Sequence, residues 1–121
     1  MKKKTLVLGA STNPERYAYK AIEKLRLYKH PVVAIGLKKG TVADVEIEMM
    51  GEKKEEIDTI TLYVGPQNQP VYYDYILHTQ PRRIIFNPGT ENFELITMAE
   101  KQGISCLEAC TLVLLATNQY W

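Results

Sequence analysis

Apolar residues along this chain alternate between short continuous runs and sets with helical spacing. The continuous runs fall at residues 5–8, 31–35, 57–64, 83–86 and 104–107. Short runs bounded by turn residues are typical of strands that are buried on both faces. Helically spaced positions lie between them, for example Ala18, Ile22 and Leu25. The alternation predicts βαβ units, in which a parallel sheet carries helices on both faces.

Several element boundaries can be predicted from single residues. Asn13 and Pro14 predict the start of the first helix. An asparagine side chain accepts a hydrogen bond from a free backbone amide, and proline has no backbone N–H that would need a partner. Gly103 predicts the end of a later helix. Alternating apolar positions 45, 47 and 49 predict a short third strand at the sheet edge, and residues 109–121 fit either a buried helix or a strand with a tail.

The chain length of 121 residues is enough for one sizeable core and not for two. We therefore expect a single domain over residues 1–121. The predicted fold is a three-layer α/β sandwich around a parallel sheet of five or six strands. The expected strand order is 3-2-1-4-5, with any sixth strand following.

Composition and charge indicate which partners and which cellular compartment to expect. Fifteen basic and fourteen acidic side chains leave a formal charge of +1, which gives no general attraction to nucleic acid or to an anionic membrane. The apolar run near the N-terminus is too short for a secretion signal, and no later run approaches a membrane span. Cys106 and Cys110 are too close in sequence for a disulfide framework. We expect a cytoplasmic protein.

The turn after the first strand is the first candidate binding element. It begins with Gly9 and continues through Ala10, Ser11 and Thr12, whereas an NAD-binding turn usually carries three glycines. A phosphate group could still bind at the helix N-terminus through backbone amides and the two hydroxyl groups. Arg16, about one turn into the predicted helix, could reach back to the same anion. A strand-to-helix turn with no ligand is equally compatible with this pattern.

The end of the second strand discriminates between ligands. An NAD site places an acidic residue there to bind ribose hydroxyls, but this chain has Lys38 and Lys39. Lysines favour a ligand that carries a phosphate on its adenosine ribose, and both coenzyme A (CoA) and NADP meet that requirement. Two lysines in a loop are otherwise usually solvated surface residues.

Together these segments resemble a family, the small CoA-binding proteins. Their Rossmann-like domain is similar to the CoA-binding domain of the succinyl-CoA synthetase alpha subunit. The resemblance covers nearly the whole chain and rests on GAS followed by an arginine, on AIGLKK, on IDTITLYVGP and on IIFNPGTEN. It implies a Rossmann-like fold and CoA or acyl-CoA as the ligand.

The resemblance also implies a role for each segment. The first turn would hold the CoA diphosphate, the second-strand segment would meet the adenosine phosphate, the third would border the adenosine, and the fourth would lie toward the pantetheine arm. The implied CoA-binding residues are Gly9, Ala10, Ser11, Thr12, Arg16, Gly36, Leu37, Lys38, Lys39, Val64, Gly65, Pro66, Asn87, Pro88, Gly89 and Asn92.

Catalytic chemistry has little support in the sequence. His30 and His78 are predicted to be surface or capping residues, and Cys110 is either a small buried hydrophobe or a thiol able to exchange with CoA. No spacing predicts a metal site. We expect a CoA-binding protein without catalytic machinery of its own. An NADP-dependent or CoA-transferring enzyme and a nucleotide-free interaction domain are the alternatives, and the many tyrosines would suit a homo-oligomer interface.

Overall fold

The computed structural model describes residues 2–121. It contains one seven-stranded sheet with α-helices packed on both faces. The strands are β1 (Thr5–Ala10), β2 (Val32–Gly36), β3 (Gly40–Val42), β4 (Val45–Glu48), β5 (Thr59–Leu62), β6 (Arg83–Phe86) and β7 (Ser105–Glu108). The helices are α1 (Tyr17–Leu27), α2 (Tyr73–Thr79), α3 (Phe93–Lys101) and α4 (Thr111–Ala116), and two 3-10 turns cover Pro66–Asn68 and Pro70–Tyr72.

The sheet has the order β3-β4-β2-β1-β5-β6-β7, and every neighbouring pair except β3 and β4 is parallel. The predicted α/β class and parallel order are confirmed, with β4, β5, β6 and β7 as the third to sixth parallel strands. The strand count is higher than predicted by one, because β3 forms an antiparallel hairpin with β4. Its turn contains Ala43 with a φ of 55° and Asp44, which accepts two 2.8 Å hydrogen bonds from Arg26.

The core consists of two clusters, one on each face of the sheet. Leu6 and Leu8 of β1 point into the cluster that α2 and α3 cover. Val7 points into the opposite cluster, which α1 and α4 cover. Because β1 is buried on both faces, it reads as a continuous apolar run rather than as an alternating one.

Helix α1 begins later than the sequence predicts. Asn13 is not its N-cap, because the Asn13 side chain instead accepts a 3.0 Å hydrogen bond from the Glu15 amide. The Asn13 carbonyl accepts another from the amide of Arg16, and these bonds close a turn before the helix. The N-cap is Arg16, and Tyr17 is the first helical residue. At the other boundary that was predicted, Gly103 follows the C-cap of α3 with a φ of 79°.

The C-terminal segment forms α4 and then a tail that covers the amino edge of the sheet. His30 is fully buried there, so its prediction as a surface or capping residue is wrong. Its Nδ1 accepts a 2.9 Å hydrogen bond from the amide of Lys3, and the rings of Tyr120 and Trp121 lie 5.0 and 5.4 Å away. Arg83 donates to the Tyr120 carbonyl at 2.7 Å. No local sequence pattern predicts this burial, because the covering residues lie about ninety positions from His30.

We predict that His30 makes the protein less stable in mild acid. Burial, followed by the charges of Lys2, Arg83 and Lys3, lowers the pKa of His30 to about 4. The unfolded chain takes up a proton near pH 6.5, so the free energy of unfolding falls as the pH drops below that value. The expected loss between pH 7 and pH 5 is about 2 kcal/mol, measured by urea denaturation.

The control is His30→Asn, which retains an acceptor near the position of Nδ1 but cannot take up a proton. Its unfolding free energy should depend less on pH over the same interval than that of the wild type. Equal pH dependence of the two proteins would contradict the role assigned to His30.

Candidate functional site

The predicted site residues all lie at or just after the carboxyl ends of parallel strands. These ends share one edge of the sheet, and the strand order reverses there between β1 and β5. Open α/β sheets bind ligands outside such a reversal. We call the region the strand-end crevice and define it by four segments: residues 9–16 at the end of β1, residues 36–39 at the end of β2, residues 64–66 after β5 and residues 87–92 after β6.

Close backbone approaches bring the first three segments together. Gly9 has a φ of 96°, and a Cβ atom there would lie 2.8 Å from the carbonyl oxygen of Tyr63. A Cβ atom at Gly36 would lie 2.4 Å from the carbonyl oxygen of Ala10. Both positions therefore require glycine, one for its backbone conformation and both for the lack of space. These contacts set the β1 turn directly against β2 and against the loop after β5.

The β1 turn presents free hydrogen-bond donors. Within residues 2–121, the backbone amides of Ser11 and Thr12 donate to no protein group. The Ser11 hydroxyl accepts a 3.0 Å hydrogen bond from the amide of Asn13. Thr12 faces the β2–β3 connection, since a Cβ atom at Gly40 would lie 2.4 Å from its methyl group. The turn therefore offers amides to a ligand, and its far side contacts the segment that follows the lysine pair.

The N-terminus of α1 is open beside this turn. In the described part of the chain, Arg16 caps no amide with its side chain, and the first helical turn contains no acidic residue. The amides of Tyr17, Ala18 and Tyr19 have no protein acceptor there, and Lys20 is the first to donate, to the Arg16 carbonyl at 3.3 Å. Free amides and the helix dipole together favour an anion at this end.

The segment after β2 supplies positive charge and an exposed apolar surface. Lys38 and Lys39 are exposed, and neither forms an ion pair within residues 2–121. Arg16 is also exposed and free of ion pairs in that range. Leu37 is 77% exposed, which is unusual for a leucine that directly follows a buried strand. Three cations and one apolar side chain thus line the crevice on the β1 and β2 side.

Asn87 forms the floor of the crevice on the other side. Its side chain is buried, and its amide nitrogen donates to the Thr61 hydroxyl at 2.7 Å and to the Leu62 carbonyl at 2.8 Å. Its side-chain oxygen accepts a 2.9 Å hydrogen bond from the amide of Thr111. These bonds join β5, β6 and α4. The protein uses both Asn87 donors, while the adjoining Pro88 and Gly89 are exposed.

Gln69 links the β5 and β6 loops, and sequence analysis missed it. It is fully buried, and its amide nitrogen donates to the carbonyl oxygens of Val64 at 2.9 Å and Thr90 at 2.8 Å. Its oxygen accepts from Asn92 at 2.8 Å. No apolar periodicity marks a polar residue in a proline-rich loop, so only the folded arrangement reveals its role.

Tyr73 and Glu94 extend this network outward. The Asn92 amide nitrogen also donates to the Tyr73 hydroxyl at 2.8 Å, and that hydroxyl donates to Glu94 Oε1 at 2.9 Å. Burial raises the pKa of Tyr73, so the phenol keeps its proton. The Asn92 oxygen caps α3 by accepting from the amide of Leu95. The network ends at the exposed carboxylate of Glu94.

Residues with catalytic or metal-binding chemistry are sparse. Across residues 2–121, no group of three or more His, Cys, Asp or Glu side chains is arranged to hold a metal ion. Both cysteines are free, and burial together with Glu100 raises the pKa of the Cys106 thiol to about 11. No helix in that range is long and apolar enough to cross a membrane.

The family of this chain is identified by its similarity to known proteins. The profile of the CoA binding domain family matches residues 3–116. The chain belongs to the CoA binding domain family. The matched range includes every segment of the strand-end crevice. Among curated proteins, none matches the chain.

Solved structures share the fold of this CoA binding domain. The crystal structure of an uncharacterised protein is 45% identical, with a TM-score of 0.95 over 98% of both chains. A Thermus thermophilus protein is 20% identical, with a TM-score of 0.85 over 98% of this chain and 90% of its own. A hypothetical protein from Pyrococcus horikoshii OT3 is 21% identical, with a TM-score of 0.82 over 99% and 85%. The two more distant proteins support the fold alone.

We predict that a side chain at Gly9 destabilises the protein in two ways, through the steric clash and through the positive φ angle, and that a matched glycine separates these two contributions. Gly9→Ala places a methyl group against the Tyr63 carbonyl, whereas Gly89→Ala meets no atom within 4 Å at a similar φ of 92°. Gly89→Ala should cost about 1 kcal/mol of unfolding free energy, and Gly9→Ala should cost clearly more. Equal losses in urea denaturation would show that the close approach is unimportant.

Proposed function

We propose that the protein binds coenzyme A or an acyl-CoA in the strand-end crevice. Membership of the CoA binding domain family supports CoA as the class of ligand. The observation that carries the location is the open N-terminus of α1 behind the Gly9 turn, with exposed lysines at the end of the neighbouring strand. Phosphate groups and cations are complementary, and CoA carries phosphates at two separated positions.

The diphosphate of CoA would lie over residues 9–12. The free amides of Ser11 and Thr12 would donate to its oxygens, and the amides of the first turn of α1 would add the field of the helix dipole. The absence of a side chain at Gly9 keeps the turn close to β5. Arg16 would close over the diphosphate with its planar set of donors.

The adenosine phosphate would lie near Lys38 and Lys39. Gly36 ends β2 against the β1 turn, so the lysine segment starts beside the diphosphate position. An acidic residue here would repel a phosphorylated ribose, whereas two lysines attract it. Leu37 would offer its exposed side chain to the adenosine, which Val64, Gly65 and Pro66 would border from the β5 side. CoA fits this arrangement better than NAD, which has no ribose phosphate.

The pantetheine arm would run toward residues 87–92. Asn87 would act there by shaping the crevice floor, because its side-chain donors are already used. Pro88, Gly89 and Asn92 would lie along the arm. We propose binding without turnover, because the hydrogen-bonded pair at this end is Tyr73 with Glu94, and burial raises the pKa of the phenol so that it holds its proton. The two free cysteines are consistent with a cytoplasmic setting.

We predict that the wild type binds dephospho-CoA about fivefold more weakly than CoA. This factor corresponds to one phosphate–lysine interaction at a partly exposed site. The double substitution Lys38→Ala with Lys39→Ala should abolish the preference and leave the fold intact, because loop substitutions at the surface cost little stability. Isothermal titration calorimetry with both ligands measures the two affinities.

A matched control is Lys53→Ala with Lys101→Ala, which removes the same charge from exposed positions outside the crevice. It should retain the preference for CoA. Equal wild-type affinity for CoA and dephospho-CoA would reject the role of the lysines. Tighter binding of NAD than of CoA would reject the ligand itself.

A further inference from the structure

The strand-end crevice is electrostatically polarised along the sheet. Its β1 and β2 side carries three cations, Arg16, Lys38 and Lys39, against one exposed carboxylate, Glu15. From residue 55 onward the only lysines and arginines are Arg82, Arg83 and Lys101. These three lie at the amino edge, because the two arginines precede or begin β6 and Lys101 ends α3. No cation after residue 55 in the described chain therefore reaches the crevice on the β5, β6 and β7 side.

Acidic side chains occupy that side instead. Glu91 lies in the loop after β6, and Glu94 lies in the first turn of α3. Glu108 is the last residue of β7. Glu91 Oε1 accepts a 2.9 Å hydrogen bond from the amide of Gly89, and Glu94 Oε1 accepts from Tyr73. None of these three carboxylates forms an ion pair within residues 2–121. Lys54, the last cation before residue 55, is already paired with Glu48 at 2.7 Å.

The hydrogen bonds at Glu94 leave only acceptors for a ligand. The Tyr73 hydroxyl donates its one hydrogen bond to Glu94, and the Asn92 amide nitrogen donates to both Tyr73 and Gln69. The exposed end of this hydrogen-bond network is therefore the carboxylate of Glu94, and the Tyr73 phenol has no second hydrogen to donate. Such an end suits an amide N–H or an uncharged group and repels a second carboxylate.

A CoA molecule placed as proposed would bring its sulfur end to these carboxylates. The β1 turn and the β6 loop are separated by two strand spacings, or about 10 Å. The extended pantetheine arm covers that distance, and the cations at the other side fix the direction in which it runs. The acyl group would then lie beside Glu91 and Glu94.

We propose that this site selects CoA and CoA thioesters with uncharged acyl groups and discriminates against acyl groups that end in a carboxylate. The inference rests on the proposed function and adds a ligand class to it. Its basis is the juxtaposition of two unpaired carboxylates with the expected position of the acyl group.

Calorimetric titration at low ionic strength tests the proposal with acetyl-CoA and succinyl-CoA, which share every group except the acyl terminus. The wild type should bind acetyl-CoA at least about threefold more tightly, and added salt should reduce this gap. Glu91→Gln with Glu94→Gln should close it, because the amides retain hydrogen-bond acceptors without the charge. Glu100→Gln, which removes a charge near the far end of α3, should keep the gap.

Each outcome decides a separate claim. Equal wild-type affinity for the two thioesters would overturn the discrimination while leaving CoA binding intact. A gap that persists in the double variant would overturn the assignment to Glu91 and Glu94. Failure of both CoA and acetyl-CoA to bind would overturn the proposed function and this inference together.

Discussion

The pairing of β1 with β2 on one side and with β5 on the other is the constraint on which the site depends. Thr5 aligns with Val32 and with Thr59, so the three strands start together and end at one edge. Burial of β1 on both faces holds it in the centre of the sheet, and a one-residue shift of its register would exchange Val7 with Leu6 and Leu8 between the two core clusters. The connection after β1 leads to β2 on one side, whereas the connection after β5 leads to β6 on the other side. A crevice therefore opens between the two loops.

The crevice combines a fixed floor with a charged rim. The buried amides of Asn87 and Gln69 connect loops from different strands, and every side-chain nitrogen among them has a partner. Removing one partner would leave a buried polar group unsatisfied, which is costly. The rim cations have no such bonds. Stability and recognition therefore depend on different residues, so the rim can be substituted without disturbing the floor.

The parts of the fold that the sequence predicted are those governed by short-range patterns. Five apolar runs and one alternating segment predicted the six parallel strands, and one glycine predicted the first turn. The start of α1 was misplaced because Asn13 forms a local turn that competes with helix capping. The β3 strand escaped notice because its three residues include only one buried apolar side chain, Val42.

Features built from distant parts of the chain could not be predicted in this way. The burial of His30 depends on Tyr120 and Trp121, and the role of Gln69 depends on a loop more than twenty residues away. The candidate crevice was easier, because parallel strands bring their carboxyl ends together whatever the loops contain. The four segments therefore lie along one edge of the sheet.

In the proposed complex, CoA binds at the carboxyl edge of the sheet, with its diphosphate at the β1 turn. A concave groove of about 450 Å³ between α1 and α4, lined in part by Tyr28 and Val113, is a competing location. Backbone amide chemical shifts of the 15N-labelled protein, followed during titration with CoA, distinguish the two directly. We expect the largest changes in chemical shift at Ser11, Thr12 and residues 37–39. Shifts confined to the α1–α4 groove, with those amides unchanged, would contradict it.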